Sequence, residues 1–156
     1  MHTDNFRNGF WTRNGPRKRG DTTLPIVQRG DILVARVGRN CSKTFSKFIG
    51  LEGFNLTDCV YCIRSKNSVE SLEILFAIKV LMNFSWSGYI LERGTGATYM
   101  SKSDLESLEI PIKLAEEWPD QFADFKQAIS RRNHDSCQSA IEETCQALAP
   151  NLSNFK

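Results

Sequence analysis

Two turn-like segments of the sequence concentrate side chains that could do chemistry. "VGRNCSKTFSK" (37–47) and "ERGTGATYMSKS" (92–103) both carry basic and hydroxyl side chains, and the second also has two glycines. Arg and Lys neutralise phosphates, Arg and Asn can read base edges, and hydroxyls and glycine N–H groups suit phosphate oxygens. We therefore predict a DNA-binding surface on these turns and their borders, formed by Arg36, Arg39, Asn40, Ser42, Lys43, Lys47, Arg93, Thr95, Thr98, Tyr99 and Ser101.

These side chains divide by chemistry into two groups. We expect Arg36, Arg39, Lys43, Lys47 and Arg93 to contact phosphates, and Asn40, Thr98 and Tyr99 to be the candidate base readers. The alternative is that each turn is an ordinary solvated loop, as polar loops usually are.

The charge distribution favours a polyanionic partner. Residues 1–47 hold ten Lys/Arg against three Asp/Glu, a net charge of +7, whereas the remainder holds ten against fifteen, a net of −5. Positive charge gathered in one third of a domain creates a local field that attracts polyanions. A basic leader at residues 1–25 is the alternative source of part of this excess.

The sequence lacks several known catalytic patterns, which points away from an enzyme acting alone. The chain has no phosphate-binding G-x-x-x-x-G-K-[ST] run, and "GTGATY" lacks the third glycine of a dinucleotide-binding turn. Asp124 and Lys126 in "PDQFADFK" lie two positions apart on a predicted helix, roughly 200° around its axis, so they cannot converge on one metal. His2 and His134 lack a plausible nucleophile partner. We predict neither catalysis nor a cofactor.

The single C-x-x-C pair, Cys59 and Cys62, lies in a segment that alternates like a strand. Residues three apart on a strand point to opposite faces, so we expect no metal site there. Five cysteines at irregular spacing are typical of reduced thiols in a cytoplasm. We see no signal peptide, and the apolar run 75–84 is too short to span a bilayer, so we expect a cytoplasmic protein without a membrane partner.

The elements that position the turns are predicted from hydrophobic periodicity. Ile32–Val37 is typical of a buried strand, with further strands expected within 41–55 and 56–66. Asn67 or Ser68, with Glu70, predicts the start of a central helix, followed by a short helix at 89–93. A capped turn at 101–104 and a strand "SLEIPI" (107–112) complete an α+β fold: a small twisted, mostly antiparallel sheet with packed helices.

A C-terminal helix or helix pair is expected after the sheet. Pro119 suits a first helical position, and the segment 131–135 is a polar break. One apolar stripe steps by four, three and four residues, which predicts a seam against either the body of the domain or a partner helix; it consists of Trp118, Phe122, Phe125 and Ile129.

Three segments together resemble a target-recognition domain. They are "QRGDILVARVGR" (28–39), the helix in "SKNSVESLEILFAIKVL" (65–81) and "ERGTGATYMSKSDLESLEIPI" (92–112), followed by a long helix. Their order is similar to that in specificity subunits of type I restriction–modification systems, and to recognition domains at the C-termini of some adenine-specific DNA methyltransferases. The resemblance covers roughly residues 26–148 and depends on the order and spacing of these motifs together.

The resemblance implies a sequence-specific reader of double-stranded DNA that does no catalysis itself. It implies docking to a methyltransferase subunit or domain, and in some systems to a nuclease subunit. A complete specificity subunit has two recognition domains, so a chain with one could be a homodimerising half-subunit or a fragment of a fused methyltransferase. The start of the helix, "KLAEEWPDQF", also departs from the family's usual pattern.

The resulting domain assignment has three parts: a basic leader or loop at 1–25, a target-recognition-like DNA-binding domain at 26–113, and a helical segment for packing or partner docking at 114–149. The rival from another class is a protein-interaction adaptor that docks through its C-terminal helices without binding DNA. An RNA-binding domain is a third alternative, although no RNP-like aromatic strand or GXXG loop is present.

Overall fold

The fold of the described residues is α+β, as predicted. The computed structural model describes residues 6–12, 25–50, 53–66, 70–84, 93–94 and 98–152, without the side chains of 151–152. These residues form two small antiparallel sheets and five α-helices, the last of them C-terminal.

The central sheet is built on strand β3 (Ile32–Ala35), all four residues of which are buried. Strands β4 (Ser46–Lys47) and β5 (Val60–Ile63) flank it, and both run antiparallel to it. Ile32 pairs with Lys47 on one side and with Ile63 on the other, so these three residues share one end of the sheet. A strand covered on both faces needs the near-continuous apolar run that the sequence has here.

A two-stranded hairpin lies beside this sheet. Strands β1 (Phe6–Arg7) and β2 (Phe10–Trp11) are joined by Asn8 and Gly9, both with positive φ, as a two-residue hairpin turn requires. Trp11 is fully buried and donates its indole N–H to the Thr44 carbonyl at 2.8 Å. A Cβ at position 9 would overlap the His134 ring, so only glycine fits at this position of the turn. The hairpin thereby joins the sheet to the C-terminal helices.

Helix α1 (Ser71–Asn83) occupies the centre of the core. Its N-terminus is capped by Glu70, whose side chain and that of Glu73 form a reciprocal capping box. Asn67 and Ser68, the caps predicted from the sequence, lie outside the described residues. Phe76, fully buried, packs its ring 5.5 Å from that of Phe122 and 5.3 Å from that of Phe125.

Three helices follow in the C-terminal part: α3 (Leu114–Glu117), α4 (Pro119–Arg131) and α5 (His134–Leu152). Pro119 occupies the first position of α4, and Arg132 ends that helix with a left-handed backbone. Phe122, Phe125 and Ile129 are buried and Trp118 is half-buried, all in the core cluster that contains α1. The apolar stripe therefore packs against the body of the chain. The domain boundary at 113/114 stays a prediction.

One predicted strand is wrong, and the strand predicted within 41–55 is present but only two residues long. Residues 107–112 form no strand, because helix α2 (Lys102–Glu106) includes Leu105 and Pro111 has no N–H to donate to a ladder. Within 41–55, a 3-10 helix (Cys41–Thr44) precedes the two-residue β4. The Thr44 hydroxyl accepts the Ala35 N–H at 2.7 Å. This side-chain hydrogen bond takes the place of the backbone carbonyl that a longer β4 would offer to β3.

The short helix predicted at 89–93 falls mostly on residues outside the described ranges, and Arg93 itself forms a β-bridge. In the part of the chain that the structure describes, no helix has the combination of length and apolar character needed to cross a bilayer.

Candidate nucleic-acid interface

The backbones of the two predicted turns are hydrogen-bonded to each other. The Gly38 N–H donates to the Thr98 carbonyl at 2.9 Å, and the Met100 N–H donates to the Arg36 carbonyl at 2.8 Å. Val37 and Tyr99 form the antiparallel bridge between these two bonds. The segment 36–38, just beyond β3, therefore lies directly beside 98–100.

A second bridge holds the other end of the later turn. Arg93 and Tyr99 exchange two backbone hydrogen bonds, each 2.9 Å long, so the two ends of this turn lie side by side. Gly94 has φ 97°, a backbone conformation that side-chain-bearing residues rarely adopt. Thr95 lies outside the described residues.

The paired segments present an exposed surface that we call the strand-end patch, formed by Arg36, Val37, Arg39, Asn40, Arg93 and Tyr99. Val37 and Tyr99 are large hydrophobic residues that are nonetheless 39% and 45% exposed. The Arg36 guanidinium lies 5.9 Å from the Tyr61 ring centroid and donates to the Asp58 carbonyl at 3.3 Å. An apolar pair flanked by guanidinium groups is thus open to a partner.

Asn40 and Arg39 mark the outer edge of the patch. Asn40 has φ 58° and ψ 39°, a left-handed conformation that Asn tolerates better than most residues, and it starts the 3-10 helix. Both side chains are exposed. The backbone turns sharply here, so their side chains reach solvent beside Val37.

Arg93 is held by an acid. Its Nε and Nη2 donate to the two Asp104 oxygens at 2.9 and 2.6 Å, a bidentate pair. This pairing raises the pKa of Arg93 above its ordinary value and, with a hydrogen bond from Ser101, lowers the pKa of Asp104. Asp104 therefore offsets one of the three cations of the patch and fixes its guanidinium in place.

Three predicted hydroxyls have partners within the fold. Ser101 is the N-cap of α2, since its Oγ accepts the Asp104 N–H at 3.1 Å. Thr98 Oγ1 donates to the Gly38 carbonyl at 2.8 Å and so reinforces the pairing of the turns. Ser42 is buried, with 3% of its surface exposed. Thr98 and Ser101 therefore support the backbone beneath the patch.

The side chains of Lys43 and Lys47 line cavities to which no residue of the patch contributes. Lys43, exposed on the 3-10 helix, lines a cavity of about 490 Å³ together with Lys79. Lys47 pairs with Ile32 at the opposite end of β3 and lines a different cleft. The first turn therefore distributes its cations among three places, with Arg39 on the patch, Lys43 on the cavity and Lys47 on the cleft. The separation of Lys47 from Arg39 follows from the strand register, which has no local signal in the sequence.

Sequence reasoning also missed two contacts of the patch arginines. Asp104 lies eleven residues from Arg93, too far along the chain for a contact within one helix or strand. The Asp58 backbone carbonyl, which accepts from Arg36, is brought there by the pairing of β3 with β5. Neither contact has a local signal.

The C-x-x-C pair is held as thiols. Burial raises the pKa of the Cys62 thiol to about 12, with the neighbouring Asp31 adding to the rise. Burial and Asp58 also raise the pKa of Cys59. Metals bind the thiolate form. Among the described residues there is no group of three or more His, Cys, Asp or Glu that could hold a metal ion.

Comparison with known proteins gives no significant match to a protein family, to a curated protein or to a solved structure.

Proposed function

We propose that the chain recognises double-stranded DNA through the strand-end patch, as the non-catalytic target-recognition module of a restriction–modification or phage-defence methyltransferase complex. The observation that carries the proposal is the direct hydrogen bonding of 36–38 to 98–100, which gathers both turns at one end of β3. Neither turn alone offers more than a polar loop. Together they offer cations, an amide and an apolar pair on a continuous surface.

Each exposed group suits a known kind of DNA contact. The Arg36 and Arg39 guanidinium groups can bind phosphates or a guanine edge, and the Asn40 amide can bind adenine. Val37 and Tyr99 can contact a thymine methyl group or a sugar. Arg93 would contribute after sharing its charge with Asp104, and Thr98, Ser101 and Ser42 would act by holding the backbone.

The rest of the complex follows from the resemblance to specificity subunits. The chain would work in the cytoplasm with a methyltransferase subunit or domain, in some systems a nuclease subunit, and as a homodimer where one recognition domain is a half-subunit. No cofactor is needed for reading DNA. Because the apolar stripe of α4 is buried against α1, docking would use the exposed outer faces of α4 and α5.

A protein-interaction adaptor is the second candidate, and the exposed Val37–Tyr99 pair favours it specifically. Tyr and Arg are enriched at the centres of protein–protein interfaces, where they anchor partners. An adaptor that docks through this patch would bind duplex DNA weakly or not at all. Its binding to DNA would not depend on the two arginines.

The test compares two doubly substituted variants of equal net charge in fluorescence anisotropy with a random-sequence duplex at low salt. Arg36→Gln/Arg39→Gln removes two cations from the patch, and Lys66→Gln/Lys113→Gln removes two exposed cations elsewhere. We expect the patch variant to bind at least tenfold more weakly, since charge-assisted hydrogen bonds each contribute about 1.5–3 kcal/mol. Equal losses in the two variants would mean that binding depends on net charge alone, against the proposal.

A further inference from the structure

Four cations line a cleft at the end of β3 opposite to the strand-end patch. It lies between β4 and the C-terminal end of α4 and has a volume of about 840 Å³. Its lining comprises Arg29, Lys47, Lys126 and Arg132, together with Phe48, Ile49, Gly50, Leu72, Ile129 and Ser130. We call it the cationic cleft.

The charges of the cationic cleft come from separate parts of the chain. Arg29 precedes β3, Lys47 is in β4, and Lys126 and Arg132 belong to α4 and its end. Among the described residues that line the cleft there is no carboxylate. Like charges brought together repel one another, and a bound anion relieves that repulsion.

Arg132 occupies a backbone position that normally favours glycine. Its N–H bonds to the Ile129 carbonyl at 3.1 Å and the Asn133 N–H to the Ala128 carbonyl at 2.9 Å, the two bonds of a Schellman motif. Its φ is 55°, in the left-handed region. An arginine here strains the backbone, which glycine would not. The side chain at this strained position, Arg132, lines the cleft.

The size and lining of the cleft restrict its ligand. A volume of about 840 Å³ lies within the range of small-molecule sites, roughly 300–1,000 Å³. Its apolar lining residues Phe48, Leu72 and Ile129 are almost fully buried, whereas Ile49 is half-buried, so a ligand would meet an apolar surface beside the cations. Lys126 lies over the Phe122 ring, 4.6 Å from its centroid, which steadies the ammonium group at the wall. Such a lining suits clustered phosphates.

We propose that the cationic cleft binds an organic polyphosphate of nucleotide size, represented by a nucleoside triphosphate. The site does not overlap the strand-end patch: Lys47 pairs with Ile32, four residues before Arg36, so the two sites lie roughly 13 Å apart along β3. The same phosphate chemistry could come from the backbone of a duplex that extends past the patch. The experiment separates these two sources.

The experiment measures binding of ATP, pyrophosphate and inorganic phosphate to the full chain by isothermal titration calorimetry at low ionic strength. Arg132→Gly and Lys126→Gln each remove one cation of the cleft. Lys113→Gln is the matched control, an exposed cation before α3, beyond the far end of α4 and about 20 Å away along that helix. Arg132→Gly also relieves the strained backbone, so its melting temperature should equal or exceed that of the wild type.

We expect the wild type to bind ATP and pyrophosphate more tightly than phosphate. Each cleft variant should weaken ATP binding about tenfold, with little change in Lys113→Gln. Absence of ATP and pyrophosphate binding to the wild type, or equal weakening by Lys113→Gln, would overturn the proposal.

A duplex-binding arm identifies the other source of phosphate. If Arg132→Gly weakened binding to DNA while ATP did not bind, the cleft would contact the DNA backbone, and the small-ligand site would be refuted. The readout for ATP does not depend on the strand-end patch, so Arg36→Gln/Arg39→Gln should bind ATP as the wild type does. The proposed DNA recognition can therefore fail without affecting this result.

Discussion

Asp31 is a buried carboxylate whose partners connect the start of β3 to the end of β5. Its oxygens accept Arg64 Nε and Nη2, each at 2.7 Å, and the Gln28 N–H at 2.8 Å. Burial alone would raise the pKa of Asp31, but the hydrogen bonds from Arg64 and Gln28 outweigh it and hold the pKa below its ordinary value. The ionised form therefore stabilises the fold at neutral pH.

Replacing Arg64 with Met should make stability depend on pH in the opposite sense. In the wild type, the Asp31 contribution is present above the unfolded-state pKa of 3.8 and is lost as pH falls through the lower folded-state pKa. Without Arg64, burial is expected to raise the pKa of Asp31, so the ionisation of Asp31 as the pH rises should destabilise the fold. We expect a loss of about 2 kcal/mol at pH 7, discounted because Arg64 is partly exposed, and a smaller loss at pH 3.

Urea unfolding at pH 3, 5 and 7 measures this difference. Lys66→Met is the control, because it removes an exposed cation two residues further along the chain. A loss for Arg64→Met that stayed constant over this pH range would mean that Asp31 does not depend on Arg64.

At the residue scale, the sequence identified which side chains could bind DNA but not which were already engaged. Arg36, Arg39, Asn40 and Tyr99 are exposed at the patch. Ser42, by contrast, is buried. Residue type and turn chemistry are local, whereas burial depends on the packing of elements distant in sequence.

Helix α4 is bound to α1 by aromatic packing, so truncating its central side chain should destabilise the whole fold. Phe125 is fully buried, with its ring 5.3 Å from that of Phe76. We expect Phe125→Ala to lower the free energy of unfolding by about 3–5 kcal/mol, measured by urea denaturation. Gln127→Ala, on the exposed face of the same helix, should change it by less than about 0.5 kcal/mol. A similarly small effect of Phe125→Ala would place the stripe outside the core.

The helices were predictable at the element scale because their signals are local. The 3.6-residue spacing of Phe122, Phe125 and Ile129 and the position of Pro119 both lie within α4 itself. The strand predicted at 107–112 failed because its apolar residues fit a half-buried irregular segment equally well. Strand pairing depends on a partner that the segment itself does not specify.

Among the described residues, two clusters of cations lie at opposite ends of β3, the strand-end patch at one end and the cationic cleft at the other. The sequence predicted an excess of cations in residues 1–47 but placed Lys43 and Lys47 with Arg39 on one surface. Pairing of Lys47 with Ile32 puts it at the far end of β3 instead. The division of charge follows from strand register, which composition does not determine.

This division predicts how DNA affinity should depend on salt. A duplex on the strand-end patch would contact about two or three phosphates, since Arg93 shares its charge with Asp104. The slope of log affinity against log salt should then be about −1.8 to −2.7, and about 1.8 shallower in Arg36→Gln/Arg39→Gln. Lys47→Gln should leave the slope unchanged, because its side chain lies in the cationic cleft. Anisotropy titrations between 50 and 200 mM salt, roughly the range over which such slopes are resolved, measure all three proteins. A steeper slope that Lys47→Gln reduces would mean that one duplex spans both ends of β3.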